Sequence, residues 1–166
     1  DIMVQIAENR QPRTIQEQMF GTFKNVKMKL KSNAVNLKVK PLPSLGKTAS
    51  FQGAVGSYKI SSSIDKQQVE TNKAINLKIL ITGNGNLKLI KNPNIDFPPD
   101  FEVYDPKESA KISTTVNGIS GSKSFEYLII PRHAGDFVIP AVEFSFFDAT
   151  TGKYKNLITT EYVIKI

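Results

Sequence analysis

Ile75-Asn76-Leu77-Lys78-Ile79-Leu80-Ile81-Thr82-Gly83-Asn84-Gly85-Asn86 is the most regular stretch of the chain. Ile75, Leu77, Ile79 and Ile81 share one parity, with Asn76, Lys78 and Thr82 on the other. Side chains alternate across a strand with period two, so this spacing predicts a β-strand buried on one face. The Gly83-Asn84-Gly85-Asn86 segment reads as the turn that ends it, its glycines supplying positive φ for a hairpin. A phosphate cradle would need a helix to open after those glycines, and Leu87-Lys88-Leu89-Ile90 reads as strand instead.

The same period recurs on both sides. Tyr58, Ile60, Ser62 and Ile64 share a face, and short strands are predicted over Phe101–Tyr104, Ala110–Val116, Phe137–Ile139 and Val142–Phe147. Ser124–Ile130 is apolar on both faces and is expected to be central. Lys155–Ile166 closes the succession. Glycines and prolines punctuate these runs, Gly118 and Gly121 among them. Seven or eight short strands at this spacing predict an all-β, Ig-like antiparallel sandwich. His133-Ala134-Gly135-Asp136-Phe137-Val138-Ile139 has the outline of an Ig corner, with Phe137 in place of tyrosine and Ile139 where antibody domains carry cysteine.

Two units are expected. Ile2, Val4 and Ile6 alternate like a short strand, Ile15–Phe20 suits a turn of helix, and Lys24–Val39 reads as one or two strands. Pro41, Pro43 and Gly46 then mark a linker. The stretch Leu30–Val39 aligns without gaps on Leu157–Ile166, each ending apolar-Lys-apolar. The alignment predicts two tandem domains with similar last strands. Residues 1–45 are read as the C-terminal part of a preceding Ig-like repeat plus linker, and residues 48–166 as a complete Ig-like domain. With Asp1 in place of an initiator Met, the chain reads as an excised or processed fragment.

Composition narrows the chemistry. The chain has no Cys, which removes disulfides, thiolate metal sites and cysteine nucleophiles. Its one histidine, His133, sits in a glycine-containing turn, so a solvated or backbone-bonded role is favoured over a general base. No apolar run approaches the roughly 18 residues that span a bilayer. The net charge of +7 is concentrated in residues 1–50, which carry nine Lys/Arg against three Asp/Glu. Lys24, Lys27, Lys29, Lys31, Lys38 and Lys40 alternate, or nearly so, with apolar residues, as the wet face of strands does. They lack interleaved aromatics, so no nucleic acid is expected. Phe144 and Phe146 share a strand face that is read as core rather than as an exposed patch.

Asp96, Asp100, Glu102 and Asp105 fall within ten positions around Pro98 and Pro99. They lack the Asp-x-Asp-x-Asp-Gly spacing of a calcium loop, so no metal or cofactor is assigned to them. As an acidic loop braced by prolines they are the candidate partner-binding residues, since a stiff loop loses less entropy on docking.

Gly83-Asn84-Gly85-Asn86-Leu87-Lys88-Leu89-Ile90 and Phe97-Pro98-Pro99-Asp100-Phe101-Glu102-Val103-Tyr104-Asp105-Pro106 resemble the BatD family of bacterial envelope proteins. The same holds for Gly121–Arg132, for Gly135–Pro140 and for the linker Val39-Lys40-Pro41-Leu42-Pro43. The resemblance covers about residues 30–166. It implies tandem Ig-like domains in a periplasmic protein held in the inner membrane and linked to aerotolerance. The implied partners are von Willebrand A-type and tetratricopeptide-repeat Bat proteins and a MoxR-type AAA+ ATPase. It also suggests a specific contact: von Willebrand A-type domains hold a divalent ion with an open coordination position, and one carboxylate of the Asp96–Asp105 loop would fill it. The expected function is therefore a non-enzymatic interaction and scaffold module. A carbohydrate- or surface-binding sandwich is the alternative, weakened by the absence of Trp.

Overall fold

Ile75, Leu77, Ile79 and Ile81 all go inward, none of them more than 1% exposed. They form the centre of a computed structural model that describes residues 1–116 and 118–166. The chain divides into two units, Asp1–Pro41 and Leu42–Ile166.

The first unit is an antiparallel pair, β1 (Ile2–Ala7) with β2 (Phe23–Met28), joined through the short helix α1 (Ile15–Phe20). Thr14 caps that helix by accepting from the Glu17 amide. Residues 29–41 hold no strand, so the strand expected over Leu30–Val39 is absent. An isolated alternating segment gains nothing from its period until a neighbouring edge satisfies its amides, and Val35, Leu37 and Val39 stay exposed.

The second unit is an Ig-like β-sandwich. Its strands are β3 (Phe51–Ile64), β4 (Ile75–Gly85), β5 (Phe101–Val103), β6 (Lys107–Thr115), β7 (Gly118–Pro131), β8 (Asp136–Ile139), β9 (Glu143–Asp148), β10 (Lys153–Ile158) and β11 (Tyr162–Lys165). One layer is β3-β4-β7, with β5 and β6 both on the far edge of β7. The central position expected for Ser124–Ile130 is the one β7 takes. The core between the layers is built on Ile75, Leu77, Ile79, Ile81, Phe125 and Ile129 from one side and Ile139, Phe144, Phe146 and Ile164 from the other. Each such apolar side chain, fully buried, stabilises the fold by about 1.5–3 kcal/mol.

Four local readings of the sequence are corrected. Gly83 and Gly85 do not form a turn, because β4 runs through both, opposite Tyr58 and Gly56 of β3. Leu87–Leu89 is a single 3₁₀ turn rather than a strand. Gly121 lies inside β7, paired with Ile112, while Gly118 is the first residue of that strand, paired with Thr115 where β6 and β7 connect. The closing stretch is two strands, and these extend two earlier ones: β8 and β9 with β10 and β11 make one long antiparallel ribbon. The register is the same on both sides of its break, Ile139 facing Tyr162 and Glu143 facing Ile158. Pro140 has no amide to donate, and the strand is interrupted there. Within the break the Val142 amide donates to the Thr159 hydroxyl at 2.9 Å while the Thr159 amide donates to the Val142 carbonyl at 3.0 Å.

β3 belongs to both layers. Its C-terminal half pairs antiparallel with β4, and its N-terminal half runs parallel to β9 through Phe51–Val55. Asn86 fills the place where β3 changes partners. Its Oδ1 accepts from the Val55 amide (2.8 Å) and the Tyr58 hydroxyl (3.0 Å), and its Nδ2 donates to the Gly53 carbonyl (2.9 Å). The Tyr58 hydroxyl is also within 2.9 Å of the Val55 carbonyl. The hydroxyl-to-backbone bond that Phe137 cannot make is thus supplied by a different tyrosine on a different strand. Burial pushes the Tyr58 phenol up to about 12.

β9 is buried on both faces, with Phe144 and Phe146 in the core as expected. Outside, Phe147 and Phe51 meet Tyr154 edge-on at 5.1 and 5.0 Å. The segment before β3 closes over them, the Tyr154 hydroxyl donating to the Pro43 carbonyl (2.8 Å) and Thr48 to the Ser145 hydroxyl (2.7 Å).

At the end of β9 the Asp148 side chain is only 7% exposed. It accepts from Lys155 Nζ (2.7 Å) and from the Thr150 and Thr151 amides (2.9 and 3.3 Å). The Lys155 bond, ahead of the two amides, holds its carboxyl down to about 2 from an ordinary 3.8. A carboxyl whose folded pKa is depressed adds stability above its unfolded pKa and loses it as pH falls through the folded one. Urea midpoints of the wild type are therefore expected to drop as pH falls from about 4 to about 2. In Asp148→Asn the midpoint should be lower at neutral pH and flatter across that window. Equal slopes in both proteins would refute the assignment.

Candidate partner-binding loop

The loop from Lys91 to Pro106 is anchored by its apolar residues, and its acids face outward. Phe97 packs against Tyr127 at 5.6 Å and Phe101 against Phe137 at 5.2 Å. The Tyr127 hydroxyl donates to the Pro93 carbonyl (3.2 Å), and Lys123 Nζ to the Ile90 carbonyl (2.6 Å). β5 then fixes the register against β7, with Phe101 opposite Pro131 and Glu102 opposite Ile130.

That register brings Arg132 and His133 to the acids. Asp100 Oδ1 lies 3.0 Å from His133 Nδ1, and the Arg132 amide donates to the Asp100 carbonyl (2.9 Å). The histidine is therefore bonded to a carboxylate, where the sequence suggested solvent or backbone. Glu102 is held more firmly. Arg132 grips one carboxylate oxygen through both Nε and Nη2, and the Tyr104 hydroxyl donates to the other at 2.6 Å. The third arm of Arg132, Nη1, donates to Asn72 Oδ1 (2.7 Å). The Tyr104 bond first and Arg132 second hold the Glu102 carboxyl below its ordinary value, and the same bond raises the Tyr104 phenol.

The four acids therefore divide. Asp100 and Glu102 are held by His133 and Arg132. Asp96 has only the Asn94 amide, at 3.5 Å, and Asp105 is exposed at the turn between β5 and β6 with no cation against it among the described residues. No three His, Cys, Asp or Glu side chains among the described residues come together as metal ligands. Tyr104 could have been anticipated from the sequence, since it lies two positions from Glu102 on one strand face. Arg132 and Asn72 could not, because their approach depends on the β5–β7 register.

Residues 62–166 match the family model described as the BatD DUF11 like domain. The chain belongs to the BatD family. The match begins within β3, takes in the whole anchored loop and runs to the last residue of the ribbon. Membership makes this sandwich a Bat-related module. The chain matches no curated protein and no solved structure. Among the described residues, no helix of this BatD chain is long and apolar enough to cross a membrane.

Proposed function

We propose that this BatD domain is a non-enzymatic interaction module of a membrane-anchored Bat complex on the periplasmic side of the inner membrane. It presents the Lys91–Pro106 loop to a von Willebrand A-type partner, with Asp105 as the docking carboxylate. The observation that carries this reading is the division among the four acids. Asp100 and Glu102 are committed to His133 and Arg132 and stiffen the base of the loop, while Asp105 remains exposed beside Pro106. A carboxylate without a cation of its own is free to complete the coordination of a partner-held divalent ion, and a stiff base reduces the entropy lost on docking. The aromatics of this unit support protein contact over a sugar platform. Tyr58, Phe101, Phe125, Tyr127, Phe144 and Phe146 are buried, and Tyr104 is bound to Glu102.

Binding of the chain to the soluble A-type domain of a Bat partner, measured by calorimetry with magnesium and then with EDTA, tests it. Affinity is expected to fall at least about tenfold in EDTA and in Asp105→Asn, a loss of about 1.4 kcal/mol. Asp96→Asn should bind like the wild type. Binding indifferent to EDTA and to Asp105→Asn would overturn the docking role.

A further inference from the structure

The parallel strip of β3 covers only part of the ribbon. It lies beside β9 from Ser145 to Phe147. β8, on the other side of the Pro140 break, pairs with β11 on one side and has no strand on the other among the described residues. Beside that open edge is a cleft of about 530 Å³ whose lining includes Gln52, Asp96, Val138, Pro140 and Glu143. An open edge offers unpaired amides and carbonyls to any extended chain. Val138, 47% exposed, adds an apolar contact. Asp96 and Glu143 bring two carboxylates with no cationic partner among the described residues.

The complementary element lies in the same polypeptide. Leu30–Lys40 is in no strand, and Val35, Leu37 and Val39 are 81%, 85% and 89% exposed. Lys31, Lys38 and Lys40 have no carboxylate against them among the described residues. Val35-Asn36-Leu37-Lys38-Val39 also aligns on Tyr162-Val163-Ile164-Lys165-Ile166, the stretch containing β11, which already fills the other edge of β8. The segment therefore carries the alternation that a β8 partner needs, with charge opposite to that of the cleft.

We propose that Leu30–Lys40 of one copy adds as a strand to the open β8 edge of a second copy, with Lys38 and Lys40, which share one strand face, toward Asp96 and Glu143, so that copies join head to tail. The contact is heterologous, because each copy offers a strand at one place and an edge at another. It does not use Asp105.

Light scattering of the intact chain over a range of concentrations tests this. The mass is expected to rise with concentration from 18.4 kDa toward multiples of it, and to fall back in high salt. Asp96→Lys with Glu143→Lys, and separately Lys38→Glu with Lys40→Glu, should each raise the concentration needed for association by at least about tenfold. Mixing the two charge-reversed proteins should restore it, because each strand then meets a cleft of opposite sign. All these positions are exposed, so unchanged thermal midpoints verify folding, and Asp105→Asn should associate like the wild type. A monomer at every concentration overturns the proposal, as does association that neither charge reversal weakens.

Discussion

Gly85→Ala is expected to cost the second unit about 4 kcal/mol of unfolding free energy, the sum of overpacking and backbone strain. Gly85 has φ 138°, a conformation that residues with a side chain rarely adopt. A Cβ there would be driven into the Val55 carbonyl and the Tyr58 hydroxyl, and close to the Gly56 backbone. Tyr58 cannot retreat, because its ring is wedged edge-on against Phe144 at 5.8 Å and Phe146 at 5.4 Å. Gly53→Ala is the control. At φ 92° with nothing within 4 Å of the added atom, it should lose only the conformational part, about 1–2 kcal/mol. Urea denaturation of the two variants separates the contributions, and equal losses would show that the packing against Tyr58 is not the cause.

Asn86→Ala should be nearly as damaging, at about 3 kcal/mol. It deprives the Val55 amide of its acceptor at the crossing of β3, and an abandoned, partly buried polar group costs about 1–3 kcal/mol, whereas the exposed Gly53 carbonyl can turn to water. Asn86→Asp keeps the acceptor for Val55 and Tyr58 but faces the Gly53 carbonyl with a second acceptor, so an intermediate loss is expected. The same chemical denaturation series checks both variants, and a loss below about 1 kcal/mol in Asn86→Ala would remove its role at the crossing.

These two neighbours mark the limit of what the sequence could reveal. The Ile75–Ile81 alternation was legible because one face of β4 is dry and the other wet, which forces period two. Gly85 was not, since a glycine in a tight turn and a glycine pressed against a carbonyl and a tyrosine hydroxyl of the next strand look the same until that strand is known. At Leu87–Leu89, pairing Leu87 with Leu89 suggested a strand. Burial instead joins Leu87 with Ile90, three positions apart as in a helical turn, and leaves Leu89 exposed. Pro140 does separate two strands, β8 and β9, but the register with β10 and β11 carries across it, which no local pattern could show. Leu30–Val39 has strand periodicity, but periodicity alone forms no strand without an edge to pair with. For the loop, the acids and bracing prolines were visible at once. Which carboxylates are occupied depends on Arg132 and His133, about thirty residues downstream and aligned only by β-sheet register.

The double membership of β3 also sets the order in which the domain can assemble. Every pairing within the ribbon joins residues close in sequence, whereas Phe51 must find Ser145, 94 positions away. Chain entropy makes such a distant closure slow until its docking surface exists, so the ribbon is expected to form first and the parallel seam to close late, like a clasp. Pulsed hydrogen exchange during refolding should then protect the amides that join β9 to β10 before those that join β3 to β9. Protection of the β3–β9 seam first would reverse the order. In the finished molecule the same clasp is the natural place for unfolding to begin.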